Sequence, residues 1–215
     1  MPMSPVEALK KHPKKAGLGT IAIALLAIYV NEGGFVDDPH DRGGATNFGV
    51  TEKVARKWGY TGRMQDFPKH CDEGQPVCAD LIYTTDYIDR PGYRPLASIE
   101  PAVLYELTDS AVLHGPGRAS EWFQLALNAN CGAGLDVDGR IGQKTIAAYQ
   151  ACQAKLGAET ACLRVLDSMD GRQRVFFNTL ASRDLTQRRF LKGWINRRVG
   201  NVDRALRKQI GRASC

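Results

Sequence analysis

The sequence predicts a mainly α-helical protein with one small β hairpin. Its 215 residues suffice for one sizeable core, or for one domain of two lobes. Helical patterns separated by Gly and Pro fill most of the chain, and Gly and Asn cluster at one short turn. The hydrophobic fraction of 43% and the charged fraction of 24% are those of a globular protein, which excludes disorder and a polytopic membrane protein.

The N-terminal segment has the charge order of an export signal. Four lysines between residues 10 and 15 precede an uncharged run from Ala16 to Asn31. As a helix this run would measure about 24 Å, which is short of the roughly 30 Å hydrocarbon core of a bilayer. The small-x-small cleavage pattern Ala22-Ile23-Ala24 lies inside the run, so we expect retention rather than removal by signal peptidase. The lysines favour membrane engagement; the alternative is a buried core helix that never meets a membrane.

The remaining elements follow from turn and cap residues. Gly and Asn residues at positions 43–49 predict the hairpin, and Thr51 is a predicted N-cap for a helix from Glu52 to about Trp58 that ends at Gly59. Further helices are predicted at roughly 76–88, 100–114, 117–128, 140–155, 159–181 and 185–210.

The net charge of +6 is concentrated in the C-terminal fifth of the chain. Residues 171–215 hold 12 Lys and Arg against 2 Asp and Glu, which leaves 17 against 21 in residues 1–170. Such a tail could bind nucleic acid, anionic lipid or an acidic polymer such as cell-wall material, or be a solvated helix face. Its aromatic residues fit helical core positions better than base stacking, so we expect contact with anionic envelope surfaces and no nucleic-acid partner.

The six cysteines show no paired C-x-x-C spacing and the four histidines are scattered, so we expect no metal site and no cofactor. An even number permits three disulfides in an oxidising compartment, with about 15 possible pairings. Cys71 with Cys78 would close the shortest loop. Buried free thiols are the alternative.

The stretch from Glu32 to Thr51 holds the residues that suggest chemistry. Glu32 lies where the apolar helix should end against two glycines, and both desolvation and the negative helix end would favour its protonated form there. Glycoside hydrolysis needs such an acid and a second carboxylate. Asp37, Asp38 and Asp41 follow in a glycine-rich turn, although an aspartate in a turn is often there for conformational reasons alone.

The string from Asn31 to Thr51, NEGGFVDDPHDRGGATNFGVT, resembles the E-G-G-[YF]…D-P-x-D-x-G-G-x-T-x-x-G-[IV]-T signature of glycoside hydrolase family 108. Members of that family are N-acetylmuramidases, and many are phage endolysins. The resemblance covers roughly residues 25–198 in order, through Ala55-Arg56, Gly59-Tyr60, Ile82-Tyr83, Asp109-Ser110-Ala111-Val112 with Gly115, Asp138-Gly139-Arg140-Ile141-Gly142 with Thr145, and Gly193-Trp194-Ile195-Asn196-Arg197.

The resemblance implies a lysozyme-like α+β fold of two lobes around a cleft, and it implies roles for individual residues. Glu32 would be the catalytic acid, and Asp41 and Thr46, by analogy with phage lysozymes, would position the attacking water. Four further residues are candidates for substrate binding: Asn47, Tyr83, Asp109 and His114. The chain has Leu113-His114 where the family pattern suggests a polar Asn, and a lone histidine is more often structural.

The resemblance also predicts the organisation of the chain. Residues 1–31 would form a basic leader and an apolar anchor, residues 32–112 a catalytic lobe, and residues 113–215 a helical lobe with a basic tail. The second lobe resembles a peptidoglycan-binding region around Cys131 to Arg140, although Asp136 and Asp138 there could simply cap a helix.

We therefore expect an endolysin that hydrolyses the β-1,4 bond between N-acetylmuramic acid and N-acetylglucosamine in peptidoglycan and lyses the host cell. Residues 10–30 resemble a signal-anchor-release helix, which would tether a monomeric enzyme, inactive, to the host inner membrane before releasing it into the periplasm. The alternatives are a non-catalytic, membrane-tethered peptidoglycan-binding protein and a muramidase that serves a phage tail or a toxin system.

Overall fold

The computed structural model describes residues 21–22, 24–25, 29, 34–37, 44–200 and 215. This part of the chain is mostly helical, with one two-stranded antiparallel sheet, which confirms the predicted fold class. Glu32, Asp41, most of the apolar run and residues 201–214 lie outside the described residues. Within the described ranges, no helix is both long and apolar enough to cross a membrane.

The described residues of the apolar run are helical, and most of them contribute to the core. Ile21, Ala24 and Leu25 are buried, whereas Ala22 is exposed. Tyr29 packs against the same core. Positions 21, 24 and 25 share one face of a helix, so this face of the run is the one that packs on the rest of the molecule.

The hairpin consists of β1 (Thr46–Asn47) and β2 (Val50–Thr51). Phe48 and Gly49 join the strands with φ of 51° and 75°, and two positive φ angles define the type I′ turn that matches the twist of paired strands. Val36 pairs with Thr46 on the other side of β1, through two backbone hydrogen bonds of 2.7 and 2.8 Å. The predicted hairpin is therefore confirmed and is extended by one residue pair.

Thr51 caps α1 (Glu52–Lys57), as predicted, because its hydroxyl accepts a hydrogen bond from the Val54 amide at 3.4 Å. Glu52 in the first turn and Arg56 in the last turn suit the helix dipole. Gly59 follows the helix with φ of 93°.

The chain then forms a 3-10 turn (Met64–Asp66), α2 (Ala79–Thr84), a π-helical turn (Thr85–Asp89) and the short α3 (Leu96–Ile99). The predicted start of this helix, residue 76, was wrong, because α2 begins at Ala79. Cys78 is extended and acts as the N-cap of α2, with its sulfur accepting from the Leu81 amide.

The central element is α4 (Pro101–His114), in which every residue from Ala102 to Ala111 is buried. α5 (Pro116–Cys131) packs against it, and α6 (Gln143–Leu156) and α7 (Ala158–Arg183) pack against α5 and each other. α7 has 26 residues and is therefore about 39 Å long.

The prediction of a single helix over residues 185–210 was wrong for residues 185–200, and its remaining residues lie outside the described part of the chain. After α7 the chain forms a 3-10 turn (Gln187–Phe190) and then α8 (Leu191–Arg198). Asp184 causes the break: its carboxylate accepts from the amide and the hydroxyl of Thr186, which offers the backbone an alternative to the helix.

The six cysteines form three disulfides, Cys71–Cys78, Cys131–Cys152 and Cys162–Cys215, so the alternative of free thiols was wrong. Asp138 does not cap a helix, because α6 begins after Gly142 and has no side-chain cap. Its carboxylate instead accepts from Gln124 of α5 at 2.7 Å and from the Arg140 amide at 2.9 Å.

Candidate functional site

Thr46 lies at the centre of the small sheet, between Val36 and Thr51. Its side chain is half-buried, and its hydroxyl lies 3.5 Å from the carbonyl oxygen of Gly44. Because this contact is at the long limit of a hydrogen bond, the hydroxyl retains the capacity to bind a water molecule.

Tyr29 holds the helical segment against the hairpin. Its ring makes edge-on contacts with Phe48 and Tyr83, at centroid distances of 6.2 and 5.8 Å. Its hydroxyl donates to Asp80 Oδ1 at 2.6 Å, and burial together with this carboxylate raises the pKa of the phenol. Lys69 places its ammonium 4.4 Å from the centre of the same ring.

Tyr83 completes this contact from α2. Its hydroxyl donates to the carbonyl of Phe48 at 3.1 Å, so the hairpin turn is held between two tyrosines. Glu32 and Asp41 lie outside the described residues. The nearest described residues on the two sides of Glu32 that make defined contacts are Tyr29 and Val36, and both contact the hairpin.

Tyr87 lines a cleft of about 510 Å³. It connects this cleft to Tyr83, since the two ring centres are 5.6 Å apart. The cleft is lined on one side by Asp86, Tyr87, Arg90 and Pro91, and on the other by Pro116, Gly139, Arg140 and Ile141. Aromatic faces with a few charged groups are typical of ligand-binding clefts.

Asp86 and Arg90 form an ion pair at this cleft. The Trp58 indole donates to Asp86 Oδ2 at 3.3 Å, and the Arg90 guanidinium lies 5.5 Å from the centre of the Trp58 ring. Sequence reasoning missed Asp86, Tyr87 and Arg90. The i, i+4 spacing of Tyr83 and Tyr87 was the signal that could have identified this face.

Three of the four predicted substrate contacts are almost fully buried: Asn47 is 4% exposed, Tyr83 3% and Asp109 2%. The Asn47 amide donates to the carbonyls of Met64 and Gln65, at 2.9 and 3.3 Å. Asp109 accepts from Arg198 of α8 at 2.7 Å. These contacts give each side chain a structural role, and substrate binding by them stays a prediction.

His114, the fourth, packs among Trp122, Phe176 and Phe177, with ring centres 4.8–5.3 Å away. Desolvation lowers its pKa to about 4, with smaller contributions from Arg118 and Arg198. The imidazole is therefore neutral near pH 7. The structure brings Asn47, Tyr83 and Thr46 together at the hairpin, whereas Asp109 and His114 lie on α4 and face α7 and α8.

A buried polar cluster joins α4 to α7. The Ser110 hydroxyl donates to Glu106 Oε1 at 2.9 Å, and Gln173 of α7 lies 3.5 Å from Ser110. Burial raises the pKa of Glu106 well above its usual range, and the charges of Asp170 and Asp109 add to the effect. Among the described residues, no group of three or more His, Cys, Asp or Glu side chains is placed to hold a metal ion.

The fold, a helical molecule with a two-stranded sheet beside a cleft, is of the lysozyme-like α+β class. Residues 25–115 match the family model Glycosyl hydrolase 108, and residues 118–199 match the model Predicted Peptidoglycan domain. The first match supports a lysozyme-like region similar to glycosyl hydrolase 108, and hence a glycoside hydrolase that acts on peptidoglycan. The second match supports a peptidoglycan-binding region.

A solved structure, "Structure of Brucella abortus SagA", is similar over nearly the whole chain. Its sequence is 28% identical, the TM-score is 0.58, and the match covers 92% of this chain and 98% of that one. No curated protein matches the chain. The cleft of about 510 Å³ lies where the two matched regions meet, since Asp86 to Pro91 belong to the first and Gly139 to Ile141 to the second.

Proposed function

We propose that this protein is a muramidase that cleaves the β-1,4 bond between N-acetylmuramic acid and N-acetylglucosamine. Glu32 is the general acid that protonates the leaving oxygen, and Asp41 and Thr46 position the attacking water. The observation that carries the proposal is that Tyr29 and Val36, on either side of Glu32, both contact the hairpin that bears Thr46. The match to Glycosyl hydrolase 108 over residues 25–115 supports the same reaction class.

The cleft beside Tyr87 is where the glycan strand binds. A sugar chain offers apolar ring faces and many hydroxyls, which suit an aromatic ring flanked by charged hydrogen-bonding groups. Asp86 and Arg90 supply those groups from the hydrolase region, and Arg140 supplies one from the peptidoglycan-domain region.

The decisive variant is Glu32→Gln, which keeps the shape of the side chain and removes the proton donor. Loss of a general acid lowers turnover by about 10²–10⁴-fold. We expect lysis of outer-membrane-permeabilised Gram-negative cells to fall accordingly, with unchanged circular dichroism. Glu73→Gln, at an exposed acid in the loop closed by Cys71 and Cys78, is the matched control and should retain lysis.

Mass spectrometry of the released muropeptides identifies the bond. Reducing-end muramic acid is expected. Reducing-end glucosamine or free peptide would overturn the assignment. Full lysis by the Glu32→Gln variant would overturn the role of Glu32 as the general acid. A wild-type protein that binds peptidoglycan but releases no muropeptides would instead support the alternative of peptidoglycan binding without catalysis, which the match over residues 118–199 favours.

We further propose that the protein acts as an endolysin, tethered by the apolar run to the host inner membrane and then released into the periplasm. Three disulfides suit an oxidising compartment. Ile21, Ala24 and Leu25 are part of the folded core, so insertion of the run into a bilayer would leave that core incomplete and the enzyme inactive. Release and refolding would then assemble the site.

A fusion of residues 1–31 to a periplasmic reporter enzyme tests the tether. We expect reporter activity in the membrane fraction, and a shift to the soluble periplasmic fraction when the membrane is depolarised. A fusion that stays in the cytoplasm would end this part of the proposal without affecting the muramidase assignment.

A further inference from the structure

A second concave surface lies between α5 and α7, within the peptidoglycan-domain region. This groove has a volume of about 800 Å³. Arg118 and Trp122 line it from α5, and its α7 wall is formed by one side of the helix from Asp167 to Arg183. It shares no lining residue with the cleft beside Tyr87.

The groove is positively charged. Three arginines line it, Arg118, Arg172 and Arg183, and among the described residues its lining includes one acid, Asp167. The Nε atom of Arg172 is buried and has no hydrogen-bond partner within the described part of the chain. A buried donor without a partner is costly, and Arg172 as a whole is only half-buried and lines the groove, so its guanidinium is suited to an acceptor supplied by a ligand.

Apolar groups lie between the arginines. Val175 is 66% exposed, and Phe176 and Leu180 follow it along the groove. The Arg118 guanidinium lies 4.7 Å from the centre of the Phe176 ring, which orients its donors beside the apolar surface. Guanidinium groups bind carboxylates through paired hydrogen bonds, so the groove suits a narrow chain that carries both carboxylates and small apolar groups.

We propose that this groove binds the acidic peptide stems that branch from the muramic acid sugars of peptidoglycan. Arg118, Arg172 and Arg183 pair with the stem carboxylates, and Val175 and Phe176 contact its alanine methyl groups. The inference rests on the proposed action on peptidoglycan, and it divides the substrate between two surfaces: the cleft holds the glycan, and the groove holds the peptide. A groove walled by two helices admits a peptide chain, whereas the flat surface of a bilayer would not enter it.

Isothermal titration of the full chain with a synthetic stem tetrapeptide that has free carboxylates tests the proposal. The variant Arg118→Gln/Arg183→Gln removes two charges at exposed positions, so the fold should be retained. Because a hydrogen bond to a charged group contributes more than a neutral one, we expect a rise in Kd of roughly tenfold or more. Arg172→Gln should also weaken binding.

Arg174→Gln is the matched control, since Arg174 is an exposed residue of α7 outside the groove lining. It should leave the Kd unchanged. The same tetrapeptide with its carboxylates amidated should bind the wild-type chain roughly tenfold more weakly, because the charge-assisted hydrogen bonds are lost.

Three outcomes would overturn the proposal: equal binding by wild type and the double variant, equal affinity for the free and amidated peptides, or a double variant that loses only its binding to anionic phospholipid vesicles. The Glu32→Gln variant separates this inference from the muramidase assignment. It should bind the tetrapeptide like wild type, so a failure of catalysis and a failure of the groove give different results.

Discussion

Glu106 is a single buried residue whose protonation makes the stability of the fold depend on pH. It is 1% exposed, on the helix that is buried all round, and its carboxyl has a hydrogen bond from Ser110 and the acids Asp109 and Asp170 nearby. Arg198 pairs with Asp109. A buried acid beside other acids is more easily kept as the neutral form, which explains the direction of its pKa shift.

The raised pKa of Glu106 predicts a pH dependence of stability. The folded chain holds this proton to higher pH than the unfolded chain, so stability from this group is full below the ordinary pKa of 4.5 and is lost as pH rises above it. Glu106→Gln removes the titration. Relative to this variant, the wild-type free energy of unfolding should fall as pH rises above 4.5, by at most about 1.4 kcal/mol per pH unit.

Urea unfolding at several pH values measures this difference. Glu121→Gln, at an exposed position of α5, is the control and should give a curve parallel to wild type. His114 has the opposite sign, because its lowered pKa removes stability as pH falls from 6.5 towards 4. That contribution is common to wild type and Glu106→Gln, and it cancels in the comparison. If the free energies of unfolding of wild type and Glu106→Gln changed in parallel with pH, the prediction would be contradicted.

At the scale of elements, the sequence predicts those caps and turns that depend on residues close together in the chain. Thr51 caps α1 and Gly59 follows its end, because a hydroxyl and a missing Cβ act within a few residues of their own position. The turn at Phe48-Gly49 is of the same kind, although a phenylalanine with positive φ is not a residue that turn preferences favour.

Features that depend on contacts between residues far apart in the chain cannot be predicted from local patterns. The Cys131–Cys152 and Cys162–Cys215 pairings depend on how α5, α6 and α7 pack, and no local pattern chooses among the possible pairs. The groove between α5 and α7 is equally non-local, because its arginines are 54 and 65 positions from Arg118 along the chain. Glu32 is predicted from its motif, whereas Tyr87 and Arg90 are candidates only because they line the cleft.

At the scale of the whole molecule, one loop joins the two matched regions. Gln124 of α5 donates to Asp138 Oδ1 and to the carbonyl of Arg140, and it accepts from the Gly139 amide. The loop held in this way approaches Gly92 so closely that a Cβ at that position would lie 2.1 Å from the carbonyl oxygen of Ile141. This contact fixes the wall of the cleft that Arg140 and Ile141 supply.

Gly92→Ala should therefore disrupt the contact between Gly92, in the first matched region, and Ile141, in the second. Gly92 has φ of +85°, and the added methyl group would also clash with Ile141. Gly59→Ala is the matched control, because Gly59 has φ of +93° and nothing within 4 Å of the added Cβ. Both variants bear the strain of an L-residue at positive φ, about 1–2 kcal/mol, and the clash should cost Gly92→Ala a further ~1–3 kcal/mol.

Urea unfolding gives the two free energies, and lysis assays under conditions where both variants are folded give the effect on the cleft. We expect Gly59→Ala to retain lysis and Gly92→Ala to lose it beyond what its lower stability explains, because the loop that carries Arg140 can no longer close one side of the cleft proposed to bind glycan. Equal losses of stability and activity in the two variants would mean that the approach of the loop to Gly92 does not shape the site.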